Sequence, residues 1–381
     1  MRNTTLLIAT LFFIGAAVAQ PYAIGTRSLT FQDVLRDRNI TCSVFYPATV
    51  AGADMPVADG SFPSIVIGHG FLIPVGPYGY LGEHYAAAGY IVLIPGTEGG
   101  FAPVHEEFGK DLAFVASAIQ ALDSDAGSPF FGHVDPSSAL MGHSMGGGAA
   151  GLGAPNNTGI NAVVLMAPAE TVPSAIAASA LITAPTLVLA ASEDCVTPIA
   201  QHAQPIYDAN SAACKAFVNI LGGGHCYFAD GNFTCSIGEA TCAGNFTITR
   251  AEQHSAVLDV TDLWLDHFLR GSDAALTTFA DTLDSSSRFS SSFACLATNV
   301  GSVNDTSVVR AYWSNATGMI IVSGSLPGDV VEVFDMTGKI VARELGNAEQ
   351  LYVKVPGNTA VYLVRVQHKD RVDVLRVPAV P

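Results

Sequence analysis

Seven short apolar runs recur along the first two thirds of the chain, at residues 41–47, 64–70, 90–96, 138–144, 160–168, 184–192 and 215–223. Between them lie stretches with helical periodicity, at 79–88, 105–122, 145–154, 198–209 and 252–269. The middle runs, such as INAVVLMAP and APTLVLAAS, are apolar almost without interruption. A strand with one wet face alternates polar and apolar residues, whereas a strand covered on both faces does not. Covered strands alternating with helices predict an α/β fold with a mainly parallel central sheet.

The ends of the chain read differently. MRNTTLLIATLFFIGAAVAQ has one Arg, an apolar run and Ala17-Val18-Ala19 before Gln20. That is the layout of a secretory signal peptide over 1–19, too short for a membrane span. The α/β domain is then expected over 20–282. Residues 283–305 are rich in Ser and small polar residues and read as a linker. From 306 to 381, period-2 segments such as DVVEVFDM and AVYLVRV, separated by turn signals, predict a small all-β sandwich.

The net charge of −16 lies wholly in the first part: residues 1–304 hold 25 acidic and 9 basic side chains, and the remainder holds 8 of each. Such a surface repels phosphate backbones, which argues against a nucleic-acid partner. Seven cysteines, at 42, 195, 214, 226, 235, 242 and 295, favour disulfides in an exported protein. No C-x-x-C pair occurs, so no structural zinc or other metal is expected.

Residues 142–146, Gly-His-Ser-Met-Gly, sit between an apolar run and a small-residue helical run. In that context G-x-S-x-G is a nucleophile elbow, a sharp strand-to-helix turn that lifts the Ser144 hydroxyl into a cleft. Without it, the glycines would be small residues in a tight turn. A serine needs a base and an orienting acid, which in this fold follow it in the order acid, then His. Asp194 ends the run 184–192 and His225 follows the run 215–223 after three glycines. Glu193 is the second choice for the acid. Asp208 and Asp230 lack a preceding strand, and His202, His254 and His267 fall on helical stretches. The oxyanion needs two backbone N–H donors, expected from Met145 and from Phe71 in the loop after SIVIGHG. His69 reads as a buried residue shaping that loop. His143 reads equally as a substrate contact or as filler of the elbow, and His105, Glu106 and Asp111 read as the solvated start of a helix.

GHGF, PYGYLGEHYAAAGYIVLIPG, GHSMGGGAA, LVLAASEDCVTP and GGGHCYF together resemble α/β-hydrolases of the group formed by cutinases, PET-degrading polyesterases, chlorophyllases and dienelactone-hydrolase-like esterases. The resemblance spans roughly residues 25–270. It implies Ser144 as nucleophile, His225 as base, Asp194 as orienting acid, and Phe71 and Met145 as the oxyanion hole. It implies a secreted serine ester hydrolase without a cofactor, acting on neutral esters or polyesters. A peptidase or amidase with the same triad, or an inactive hydrolase fold used for binding, is the alternative. Polyesterases of this type carry a Trp where this chain has Ala169, leaving a substrate position without its aromatic clamp. The polyesterases also place bridging cysteines near acid and base, but at offsets different from those of Cys195 and Cys226. Here Cys195–Cys226 or Cys195–Cys214 is the expected bridge, and the insertion after His225, with Cys226, Cys235 and Cys242, is expected to form a braced flap. The tail from 306 resembles C-terminal sorting domains of type IX secretion cargo, which implies that secretion machinery as a partner and a secreted or cell-surface monomer.

Overall fold

The structure is a computed structural model that describes residues 21–240, 242, 246–295, 309–314, 319–335, 337–346, 350–356, 361–369 and 372–378. The proposed signal peptide lies outside the described residues. The chain divides into two units, the first ending at Ala294.

The first unit is built on ten strands: β1 (Ala23–Asp33), β2 (Arg38–Ala48), β3 (Gly52–Ala53), β4 (Phe62–Gly68), β5 (Ile91–Pro95), β6 (Val134–His143), β7 (Ile160–Met166), β8 (Thr186–Ala191), β9 (Cys214–Ile220) and β10 (Phe289–Cys295). Their spatial order is β10-β9-β8-β7-β6-β4-β5-β2-β1-β3. The six strands from β5 through β9 in that order pair parallel, and β1 and β2 pair antiparallel at one side. Strands β4, β5 and β8 are buried from end to end, and β7 at every position but Asn161, as their apolar runs require. Helices α1 (Gly79–Ala87), α2 (His105–Ala121), α3 (Met145–Gly153), α5 (Ala203–Ala209) and α7 (Arg250–Arg270) pack on the sheet, while α4 (Ala175–Ser179) packs on α3 and α5, α6 (Phe233–Glu239) on the turn at His225, and α8 (Asp273–Ser285) on α7. Helix α7 starts at a capping box between Thr249 and Glu252 and stops at Gly271, whose φ of 71° only glycine adopts without strain.

This is the expected α/β-hydrolase architecture. Chain order and spatial order part company at β4: β5 lies on one side of it and β6 on the other. The crevice outside the carboxyl ends of such strands is where open α/β sheets bind ligands. Gly68, at the end of β4, lies opposite Gly142 of β6, so the loops that follow both strands emerge side by side.

Two differences from expectation concern the end of this unit. The stretch read as a linker from 283 is ordered structure up to Cys295, namely the last turn of α8 and strand β10. Its serines are explained by position: Ser290, Ser291 and Ser292 lie on the exposed outer strand while Phe289 is buried. Helix α8 itself buries Ala275, Phe279 and Leu283, a four-residue spacing that sequence reading passed over.

Among the described residues, the second unit contains two small antiparallel sheets. One has the order β11-β12-β15, from β11 (Arg310–Ser314), β12 (Met319–Ser323) and β15 (Gln350–Val353). The other is β14-β13-β16-β17, from β13 (Val330–Phe334), β14 (Ile340–Leu345), β16 (Val361–Gln367) and β17 (Val372–Pro378). Ile320, Val322, Val331, Val333, Val353 and Tyr362 share one core between them.

A buried ion network fastens the antiparallel edge to the rest of the first unit. Asp111 of α2 is fully buried; it accepts from Arg38 Nε at 2.8 and 2.9 Å and from the Thr97 hydroxyl at 2.6 Å, and pairs with Arg36 at 2.8 Å. It is therefore a structural anchor, not part of a solvated helix start. Glu98 and Glu107 give the two guanidinium groups further partners. Asp111→Ala strands both cations short of a buried partner and is expected to destabilise the fold by about 3 kcal/mol, the low end for a broken buried pair. Urea unfolding of parent and variant measures this, and a loss under about 1 kcal/mol would show that the remaining carboxylates suffice.

Candidate active site

The turn from β6 into α3 forces Ser144 to φ 55° and ψ −120°, a conformation that costs a non-glycine residue about 1–3 kcal/mol and persists only when its surroundings impose it. Three backbone bonds do so here. Ser144 N–H donates to Met166 O at 3.0 Å, and the Ser144 carbonyl accepts from Gly148 N–H at 3.0 Å and Ala169 N–H at 2.9 Å. Glycine is obligatory on both sides: a Cβ on Gly142 would run into the Gly146 carbonyl, and one on Gly146 into the Gly68 carbonyl. Ala169 thus acts on the serine through its backbone, bracing the elbow from the end of β7.

Asp194 sits in the turn after β8. Its Oδ1 accepts from Val196 N–H and Thr197 N–H, both at 2.8 Å, and its Oδ2 accepts from the Thr197 hydroxyl and from His225 Nδ1, both at 2.8 Å. Four donors around one carboxylate leave it a single orientation. His225 opens a 3-10 turn after β9 and is 2% exposed. The Gly224 peptide before it is gripped at both ends by Gln253 of α7, which accepts from Gly224 N–H at 3.0 Å and donates to its carbonyl at 2.9 Å.

The other candidates go elsewhere. Glu193 accepts from the Ser192 hydroxyl. His202 caps α5 and accepts from Glu170 N–H at 2.9 Å, while His254 stacks flat on Tyr80 with ring centroids 3.8 Å apart. Asp208 accepts from Gln204, Asp230 bonds through its backbone to Pro77, and His267 contacts the Ser272 carbonyl. His105 and Glu106 lie at the start of α2, with Glu106 paired to Lys110. His69 is buried in the loop after β4, its ring between the carbonyls of Gly70 and Thr97.

Phe71 follows in that loop, 43% exposed, beside a tight turn closed by Ile73 N–H to Gly70 O at 3.1 Å. A cavity of about 340 Å³ opens at the same turn, walled by Leu72, Ile73, Pro74 and Val75 with His69. Met145 is buried and begins α3, where first-turn N–H groups have no partner inside the helix.

His143 is fully buried, and its ring lies against Tyr78, His225 and Phe228. Of the two equal readings, full burial among these rings favours the filler of the elbow over the substrate contact. Burial, and then the neighbouring His225, push its imidazole well below the ordinary histidine range.

The cysteines adjacent to the triad are not joined to each other. Cys195 pairs with Cys242 and Cys226 with Cys235, each with Cα atoms 5.6 Å apart. Both expected pairings of Cys195, with Cys226 or with Cys214, are therefore corrected. The insertion after His225 supplies the partners, so the loops that carry Asp194 and His225 are each tied to it. Cys214 and Cys295 are also disulfide-bonded, and Cys42 is a buried thiol pushed up to about 12 by burial. Inside the insertion, Glu239 reaches back to accept from Cys226 N–H at 3.1 Å, and burial raises its carboxyl. Sequence reading missed Tyr78, Thr197, Glu239 and Gln253. Only Thr197 had a local signal, since an Asp followed three residues later by Thr suits a side-chain-capped turn.

Among the described residues no group of His, Cys, Asp and Glu is arranged to hold a metal ion, and no helix is long and apolar enough to cross a membrane.

Two outcomes test this geometry. Gln253→Leu keeps the volume but leaves the buried Gly224 peptide unpaired; it is expected to destabilise the fold by about 2 kcal/mol, readable by chemical denaturation. A variant as stable as the parent would show that the peptide finds other partners. For His143, a depressed folded value means that the stability it contributes is present above pH 6.5 and drains as pH falls and the unfolded chain takes up the proton. Histidine-ring NMR at about pH 6 should accordingly find His143 neutral with an unprotonated Nδ1. A His143 cation at that pH would contradict the burial account.

Residues 18–245 match the family described as PETase, PET hydrolase-like. A bis(hydroxyethyl) terephthalate hydrolase of Streptomyces coelicolor is 27% identical over 212 residues, 55% of this chain and 62% of that protein. Cutinase 1 of Thermobifida cellulosilytica is 26% identical over 172 residues, covering 45% of this chain and 63% of the relative. A cutinase of Thermobifida fusca is 26% identical over the same length, 54% of its own. The chain thus spans less than two thirds of the curated relatives it matches. With more than half of its residues matched, it belongs to the PET hydrolase-like family.

Proposed function

We propose that this member of the PET hydrolase-like family is a serine carboxylic ester hydrolase working through an acyl-enzyme. The observation that carries the reading is the buried Asp194–His225 pair, held at 2.8 Å in the loops next to a strained elbow serine. Ser144 Oγ attacks the ester carbonyl carbon while His225 Nε2 takes its proton. Asp194 keeps the imidazole oriented and stabilises the cation that forms. The oxyanion is received by the N–H groups of Met145 and Phe71. Collapse of the intermediate expels the alcohol, which leaves with the proton from His225. Water, deprotonated by the same imidazole, then attacks the acyl-enzyme and frees the acid and Ser144. No cofactor enters the scheme.

Neutral acyl esters, polyesters among them, suit the site best. The strongly acidic surface disfavours anionic substrates, while exposed Phe71 offers an aromatic contact beside the serine loop. The relatives' names point the same way. The leader-like first 19 residues and the disulfides support export, and the two-sheet unit after residue 309 supports a C-terminal sorting role toward type IX secretion machinery, with a monomer at the cell surface or beyond.

The purified mature protein and its Ser144→Ala variant, assayed on p-nitrophenyl esters from acetyl to palmitoyl, test the reading. Turnover is expected to fall by roughly 10⁵-fold or more in the variant. A variant as fast as its parent, or a parent inert on every ester, overturns it.

A further inference from the structure

Resting on the esterase reading, we infer that Tyr78 and His143 form a positioning relay that holds the oxyanion loop in register with the catalytic histidine. Three observations meet in it. Gly70 N–H donates to Tyr78 Oη at 2.8 Å, and Gly70 immediately precedes Phe71, whose N–H is assigned to the oxyanion. Tyr78 Oη lies 2.8 Å from His143 Nδ1. The His143 ring in turn packs on that of His225, centroids 4.7 Å apart.

The direction of each bond follows from counting protons. Tyr78 is fully buried, so its hydroxyl proton needs an acceptor in the protein, and the Gly70 amide can only donate. Tyr78 therefore accepts from Gly70 and donates to Nδ1 of His143, which must be unprotonated there. A neutral imidazole with its proton on Nε2 meets this need, and the depressed value of His143 agrees with it. Neutrality has a second consequence: when His225 takes the serine proton, no like charge opposes it at that short range.

The segment carrying Tyr78 is itself fastened to the histidine loop. Tyr80 donates its hydroxyl to the Phe228 carbonyl at 2.9 Å, and Asp230 N–H donates to the Pro77 carbonyl at 2.8 Å. Space at Gly70 confirms how closely the parts fit, for a Cβ there would lie 2.7 Å from Ile73 Cδ1 and 3.2 Å from Tyr78 Oη. The loop that offers the Phe71 amide is thus aimed by a hydroxyl and an imidazole that never touch substrate.

An oxyanion donor contributes in the transition state and little in the ground state, so loosening it should lower kcat and spare KM. Tyr78→Phe in the full mature chain is expected to reduce kcat about tenfold on p-nitrophenyl butyrate with KM within about twofold. Inactivation by a p-nitrophenyl alkylphosphonate, whose attack by Ser144 also develops an oxyanion, should slow by the same factor. His143→Leu removes the acceptor and gives the same split should Tyr78→Phe not fold; His143→Asn, which restores an acceptor for the hydroxyl, should recover part of the rate. An unchanged kcat in a folded variant, or a loss confined to KM, overturns the relay while leaving the esterase reading intact. Absence of turnover in the parent overturns the esterase reading first, and the relay with it.

Discussion

Everything at the centre of the first unit depends on one backbone contact that tolerates no side chain. Gly146, in the first turn of α3, lies against the Gly68 carbonyl at the end of β4, and Gly142 lies against the Gly146 carbonyl. That approach makes the turn after β6 tight enough to hold Ser144 at positive φ. It also brings the start of α3 against the loop that carries Phe71. The proposed oxyanion donors, Met145 and Phe71, are more than 70 residues apart in sequence and come from adjoining loops because β4 and β6 are neighbours. The strain at Ser144 is carried by the sheet, through the ends of β7 at Met166 and Ala169.

The histidine side of the site is held by a different principle. No strand fixes His225, which follows three glycines, so its position is supplied from outside: Gln253 on the Gly224 peptide, Asp194 on the imidazole, Glu239 on the Cys226 amide, and two disulfides into the insertion. The insertion therefore joins the acid loop to the histidine loop through itself. A direct bridge would have fixed one distance. This arrangement places residues 233–239 beside the catalytic loops and makes their packing depend on the same covalent ties.

How much of this was legible in the sequence follows from the range of each signal. The parallel strands and the elbow were readable because their signals are local and strong: unbroken apolar runs, and a serine between glycines at a strand-to-helix junction. That Asp194 and His225 follow successive strands, where the structure brings them within 2.8 Å, was readable from strand ends. β1 escaped because it is half exposed, with burial scattered along AIGTRSLTFQD, and β10 because an outer strand of serines looks like a linker. The disulfide pairing was not legible at all, since it depends on where the insertion folds back and not on cysteine spacing. Tyr78 and Gln253 were equally silent: each is an ordinary residue in its own helix or turn, and its role exists only across 65 residues to His143 or 29 residues to Gly224.

Those silent contacts point to a common logic around the triad. In the proposed mechanism His225 gains a proton during turnover, which calls for polar neighbours that hold its loops without competing for that proton. The protein meets this with groups that burial keeps uncharged: the imidazoles of His143, His202 and His254 are all pushed below the usual range, and the Tyr78 and Tyr80 hydroxyls above theirs, with desolvation the first cause in each case. Tyr78, Tyr80, His143 and His202 take part in hydrogen bonds as neutral partners, His254 stacks on Tyr80, and none of them brings a cation next to His225. The anions follow the same division. Asp194 faces the imidazole directly, while the Asp111 network, with its two arginines, is spent on holding β2 against α2. Asp194 thus faces the imidazole where the proposed reaction develops a cation, while Glu239 and Arg250 hold the backbone that follows His225, the one at the Cys226 amide and the other at the Cys226 and Ala229 carbonyls.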